Sequence, residues 1–110
     1  MPAYWLSFRI ADAVAFQGTY DDRYSALVSA AAGGSARFWV ETTSFIAFDS
    51  SEALEPLATR LKQTIDPTKD LFLLKRMNAP GGIICGNNED DSIFKLMVGE
   101  NGQSYLKNLV

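Results

Sequence analysis

The sequence predicts a single α+β domain in which two helices lie on one face of an antiparallel sheet. Three observations carry that reading. Short runs of apolar residues alternate with period two, as in half-buried strands. Two intervening stretches carry their apolar residues at helical spacing instead. The two kinds follow one another as β-α-β-β-α-β, with a further strand and a tail behind them.

The first strand is Tyr4 to Ile10, in "YWLSFRIAD". Tyr4, Leu6, Phe8 and Ile10 point one way, while Trp5, Ser7 and Arg9 point the other. A loop, "ADAVAFQGTYDD", leads to a helix over 22–32. Tyr20, Tyr24, Leu27, Val28 and Ala31 recur at helical spacing, acidic residues occupy the first turn, and Gly33-Gly34 stop it. "ARFWVETTSFIAFDS" reads as strands over 37–41 and 44–48 with a corner at Thr42-Thr43. The corner lacks Asn-Gly or Asp-Gly, so one bent strand is the open alternative. "SSEALEPLATRLKQTI" is the second helix, with a stripe of Leu54, Leu57, Ala58, Leu61 and Ile65. Ser50 or Ser51 is its expected cap, and Pro56 falls in its first turn. After the turn "DPTK", Asp70 opens "LFLLKRM", a strand apolar on both faces. "APGG" turns the chain into a fifth strand, "GGIICG". "NNEDD" is a polar loop. In the tail "SIFKLMVGENGQSYLKNLV", Ile93, Phe94, Leu96 and Met97 suit a short helix, and a strand is the alternative.

With right-handed crossovers this order gives the ferredoxin-like arrangement, both helices on one face and an added strand and tail at the end. The 110 residues are expected to form one domain, with a core over about 4–86 and a loop and tail over 87–110 that pack on a partner subunit or fold back. The formal net charge of −3 argues against a strongly basic nucleic-acid footprint, and no apolar run is long enough to span a bilayer. A single cysteine excludes an intrachain disulfide. With no basic leader in view, the expected location is cytoplasmic. The absence of histidine excludes Ser-His and Cys-His nucleophile pairs and His-based metal sites.

If the helices cover one face, the other should be polar, yet Trp5, Trp39 and Phe45 fall on it. "LFLLKRM" adds either Phe72 and Leu74 or Leu71 and Leu73, and Phe72 is taken with the aromatics. At about 25 cal/mol per Å2 and ~150 Å2 per aromatic, covering such a patch stabilises an assembly by several kcal/mol per subunit. The expected partner is therefore a second copy, sheet to sheet across a two-fold axis, through Trp5, Trp39, Phe45 and Phe72.

The middle of the chain, "RFWVETTSFIAFDSSEALEPLATRLKQTIDPTKDLFLLKRM", resembles the SinR-like and virulence-associated protein D group, relatives of the small CRISPR spacer-acquisition subunit. Trp39, Thr42, Thr43, Phe45, Leu61, Ile65, Asp66, Asp70 and Leu71 sit where that pattern expects them. The resemblance implies a ferredoxin-like subunit that dimerises through its sheet, often with a C-terminal strand crossing to the partner. Active relatives are metal-dependent nucleases with an Asp near the end of strand one, inside a Tyr-Asp-Leu or Tyr-Asp-Ile triplet. Aligning "SFRI" with that triplet puts Phe8 on the Tyr, Arg9 on the Asp and Ile10 on the last position. An arginine repels the divalent ion that the two carboxylates would hold, so the resemblance implies a binding or structural role with no cofactor. The alternative is an endonuclease acting on RNA or DNA with Mg2+ or Mn2+, in which Asp12 is a displaced metal ligand.

Other residues are weighed against their ordinary roles. Arg9 has the geometry to grip phosphate or carboxylate, and a strand-end arginine paired with Asp12, Glu41 or Asp70 is the plainer reading. Thr42 and Thr43 offer hydroxyls to a ligand or cap their own turn. Cys85 reads as a small buried hydrophobe, and "NNEDD" lacks the spacing of a calcium loop. "AVAF", Ala13 to Phe16, reads as an apolar loop closing one end of the core, unless Phe16 is exposed.

Overall fold

A computed structural model describes residues 2–33, 37–79 and 81–88, together with the backbone of 106–109. The chain runs β1 (Ala3–Arg9), α1 (Tyr20–Ala32), β2 (Phe38–Trp39), β3 (Phe45–Asp49), α2 (Leu54–Lys62), β4 (Leu71–Arg76), β5 (Gly82–Gly86) and β6 (Leu106–Leu109). The strand order across the sheet is β2-β3-β1-β4-β5-β6. The first five strands pair antiparallel, and the backbone of β6 runs parallel to β5. Five antiparallel strands with two helices are consistent with an α+β fold of ferredoxin-like type.

The alternation in β1 decides which face is buried. Tyr4, Leu6 and Phe8 lie under the helices, in one cluster with Leu27 and Ala31 of α1, Leu57, Ala58 and Leu61 of α2, and Ile83 and Cys85 of β5. Cross-strand register continues that face outward: Tyr4 stands opposite Phe48, and Leu6 opposite both Ile46 and Leu74. Side chains on one face of paired strands stand directly opposite one another, so a single phase set by β1 propagates through its neighbours.

The same register corrects the expectation for Phe72. It stands opposite Phe8 and is fully buried beneath the helices, so it does not belong to the open face. Leu71 and Leu73 face outward in its place, opposite Arg9 and Ser7. "LFLLKR" is apolar at four consecutive positions, so its own pattern carries no phase.

The two helix starts also differ. Helix α1 begins at Tyr20, not at residue 22, because Thr19 caps it: the Thr19 hydroxyl accepts from the Asp22 amide and the Asp22 carboxylate accepts from the Thr19 amide at 2.9 Å. Helix α2 begins only at Leu54, after Ala53, which provides no side-chain cap. The Ser50 hydroxyl instead accepts from the Glu52 amide within the preceding turn. At the Thr42-Thr43 corner the chain forms two paired strands, with Phe38 opposite Phe48 and Trp39 opposite Ala47. In the tail, 89–105 lies outside the described residues, and with it the expected helix on Ile93 to Met97.

Candidate functional site

The face of the sheet away from the helices carries a row of aromatic rings. Trp5 and Phe45 stack with centroids 6.1 Å apart and planes 24° from parallel, and Trp39 meets Phe45 edge-on at 6.3 Å. The rings converge because Trp5 and Trp39 both stand opposite Ala47, on either side of β3, and Phe45 lies two residues along the same face. Leu71 and Leu73 extend the apolar surface onto β4. At one corner a cavity of about 270 Å3 opens between Trp39, Ala47, Ala3 and Met77, bordered by the Arg37–Asp49 ion pair at 2.6 Å. Trp39 is 43% exposed and Met77 45%, both large for apolar side chains.

Arg9 ends the row on β1. It is exposed, and its Nη2 donates to the Asn87 carbonyl at 2.8 Å, not to Asp12, Glu41 or Asp70. Asp12 lies three residues on, exposed in the loop beyond the strand, and no hydrogen bond or ion pair joins it to Arg9. Among the described residues no group of three His, Cys, Asp or Glu side chains is placed to hold a metal ion.

The corner residues form a second, more polar hollow. Thr43 and Ser44 line a cavity of about 230 Å3 with Tyr20, Asp21, Tyr24 and Ser25, while Thr42 lies exposed outside it. Ser44 adopts φ of 58°, a left-handed conformation that costs a side-chain-bearing residue about 1 kcal/mol. Its amide meets the Tyr24 hydroxyl at 3.4 Å, and its carbonyl accepts from the Phe8 amide.

A buried charge pair went unnoticed in the sequence. Arg23 and Asp70 are both fully buried, with Nε to Oδ2 at 2.8 Å. Arg23 donates Nε and Nη2 to Asp70, Nη2 also to the Ala11 carbonyl, and Nη1 to the carbonyls of Ala13 and Gly18. The Asp70 carboxylate further accepts from the amides of Ala11 and Asp66, both at 2.9 Å. Burial alone would raise the Asp70 carboxyl, but the guanidinium and the two amides outweigh it and hold it below its ordinary value. The signal was present in spacing: Arg23, Leu27 and Ala31 share one helical stripe, and all three are buried. Cys85 is the small buried hydrophobe expected, and burial pushes its thiol up, away from reactivity.

No family model, curated protein or solved structure matches the chain.

Proposed function

We propose that the chain is a non-catalytic binding domain of ferredoxin-like type that assembles as a homodimer, open sheet face against open sheet face. The observation that carries this reading is the row of Trp5, Phe45 and Trp39, extended by Leu71 and Leu73, on the side of the sheet that neither helix covers. Contiguous apolar surface on a sheet face is normally covered, and self-complementary faces are covered most simply by a two-fold copy. Arg9 stands exposed at the margin of the face, where an arginine suits a phosphate or carboxylate of the bound molecule. This accords with the resemblance, in which Arg9 replaces the metal-holding Asp.

The test is sedimentation or light scattering at micromolar concentration. A mass of twice 12.1 kDa is expected for the native chain, and Trp39→Lys should shift it toward monomer without unfolding the domain. A monomeric native chain would sink the proposal. Incubation with labelled RNA and DNA plus Mg2+ or Mn2+ tests the catalytic side of it. The expected result is no cutting, whereas cutting that disappears in Asp12→Ala would make the chain an endonuclease.

A further inference from the structure

We infer that the loop between β1 and α1 presents Phe16 as a preformed anchor for a protein partner, one that offers an apolar socket bordered by lysine or arginine. Phe16 is 101% exposed and Val14 75%, far beyond what a loop closing the core would show. The tip is a closed turn: the Ala15 amide donates to the Gly18 carbonyl at 2.9 Å, and the Gly18 amide to the Ala15 carbonyl at 3.0 Å. Gly18 takes φ of 120°, with the Asp22 carboxylate packed where a side chain would stand.

The base of the loop is fixed from below. Arg23 binds the carbonyls of Ala11, Ala13 and Gly18 at 2.7 to 2.8 Å, and Asp70 holds the Ala11 amide. A buried guanidinium thus orders both strands of a loop whose tip residues, Val14 and Phe16, are exposed. Ordering a loop before binding removes an entropy cost from association, and an isolated aromatic held in one place is the form interface hot spots take.

Charge selects the partner. Between Ile10 and Tyr24 the exposed charges are Asp12, Asp21 and Asp22, all acidic, while the only cation, Arg23, is buried and neutralised by Asp70. An apolar tip whose own segment exposes only acidic charge is repelled by anionic lipid and attracted to a socket with a basic rim. The tip lies outside the open sheet face, so this inference stands or falls separately from the homodimer.

The experiment places a photoreactive phenylalanine analogue at position 16 of the full chain in its native cells, with a control at the exposed Val40. One protein adduct specific to position 16 is expected. That protein, purified, should bind the native chain and lose about tenfold or more in affinity for Phe16→Ser. Asp12→Asn with Asp21→Asn should slow its association and flatten the salt dependence, and Phe16→Ser should melt at the native temperature. Any of four results would overturn the inference. They are no position-specific adduct, an adduct to a second copy, Phe16-dependent binding to phosphatidylcholine–phosphatidylglycerol vesicles, or equal partner affinity for Phe16→Ser.

Discussion

Replacing Asp70 with Asn removes a charge and adds a donor where four N–H groups already converge: Nε and Nη2 of Arg23 and the amides of Ala11 and Asp66. An amide side chain offers one oxygen in place of two, so one pair of donors loses its acceptor and faces an NH2 group. Arg23 is left as a buried guanidinium without a counter-charge. Breaking a buried ion pair from one side costs about 3–5 kcal/mol, against a total stability of about 5–15 kcal/mol for an ordinary domain. For a chain of this length about 1 kcal/mol moves the melting temperature by 4–8 °C, so Asp70→Asn should lower it by at least ~12 °C. Urea titration at pH 7 gives the same quantity independently. The double variant Arg23→Met with Asp70→Leu should lose less than the two single variants together, because no lone charge is left behind. Asp70→Asn melting within about 4 °C of the native chain would refute the reasoning, since the pair would then be worth no more than a surface one.

Acid should weaken the fold in a defined window. The carboxyls of Asp70, Asp66 and Glu52 lie below their ordinary values in the folded chain, Glu52 chiefly through its hydrogen bond from Arg60 and Asp66 through Thr68. The unfolded chain therefore binds more protons in acid, and stability present above about pH 4 should fall as pH drops through the depressed values. A urea midpoint unchanged between pH 5 and pH 2 would contradict this. Gly86→Ala should destabilise by about 2 kcal/mol or more, because φ is 119° and a Cβ there would meet the Asp70 carbonyl oxygen at 2.0 Å. Thermal melting checks it, and an unchanged melting point would mean the β4–β5 junction yields freely.

The sequence disclosed most where residue type and period agreed. Tyr4 to Ile10 alternates without exception, and its inward set is the buried set. Helix α2 was legible in its apolar stripe, but not in its start, because Ser50, three residues ahead of the Ala53 cap, serves the preceding turn. Four apolar residues in a row leave the phase of β4 open until Phe8 fixes it across the ladder, so the burial of Phe72 is not legible in its own strand. The role of Arg23 is hidden in the sequence because a lone arginine in a first turn reads as solvated. Its acceptors come from Ala11, Ala13, Gly18 and Asp70, a set that only the folded chain assembles. The aromatic row was foreseen from Trp5, Trp39 and Phe45, whereas full exposure of Phe16 has no signature in sequence, since an apolar loop residue reads equally well as a core plug.

The shortness of β2 bears on whether further strands can add to this border of the sheet. A long, flat, unpaired border strand templates the addition of further chains, each offering the next the same hydrogen-bonding groups. Among the described residues the strand outside β3 contributes Phe38 and Trp39 to the ladder. Two residues give an incoming strand little register to copy, so the growth of an endless ribbon from this side is starved at its first step.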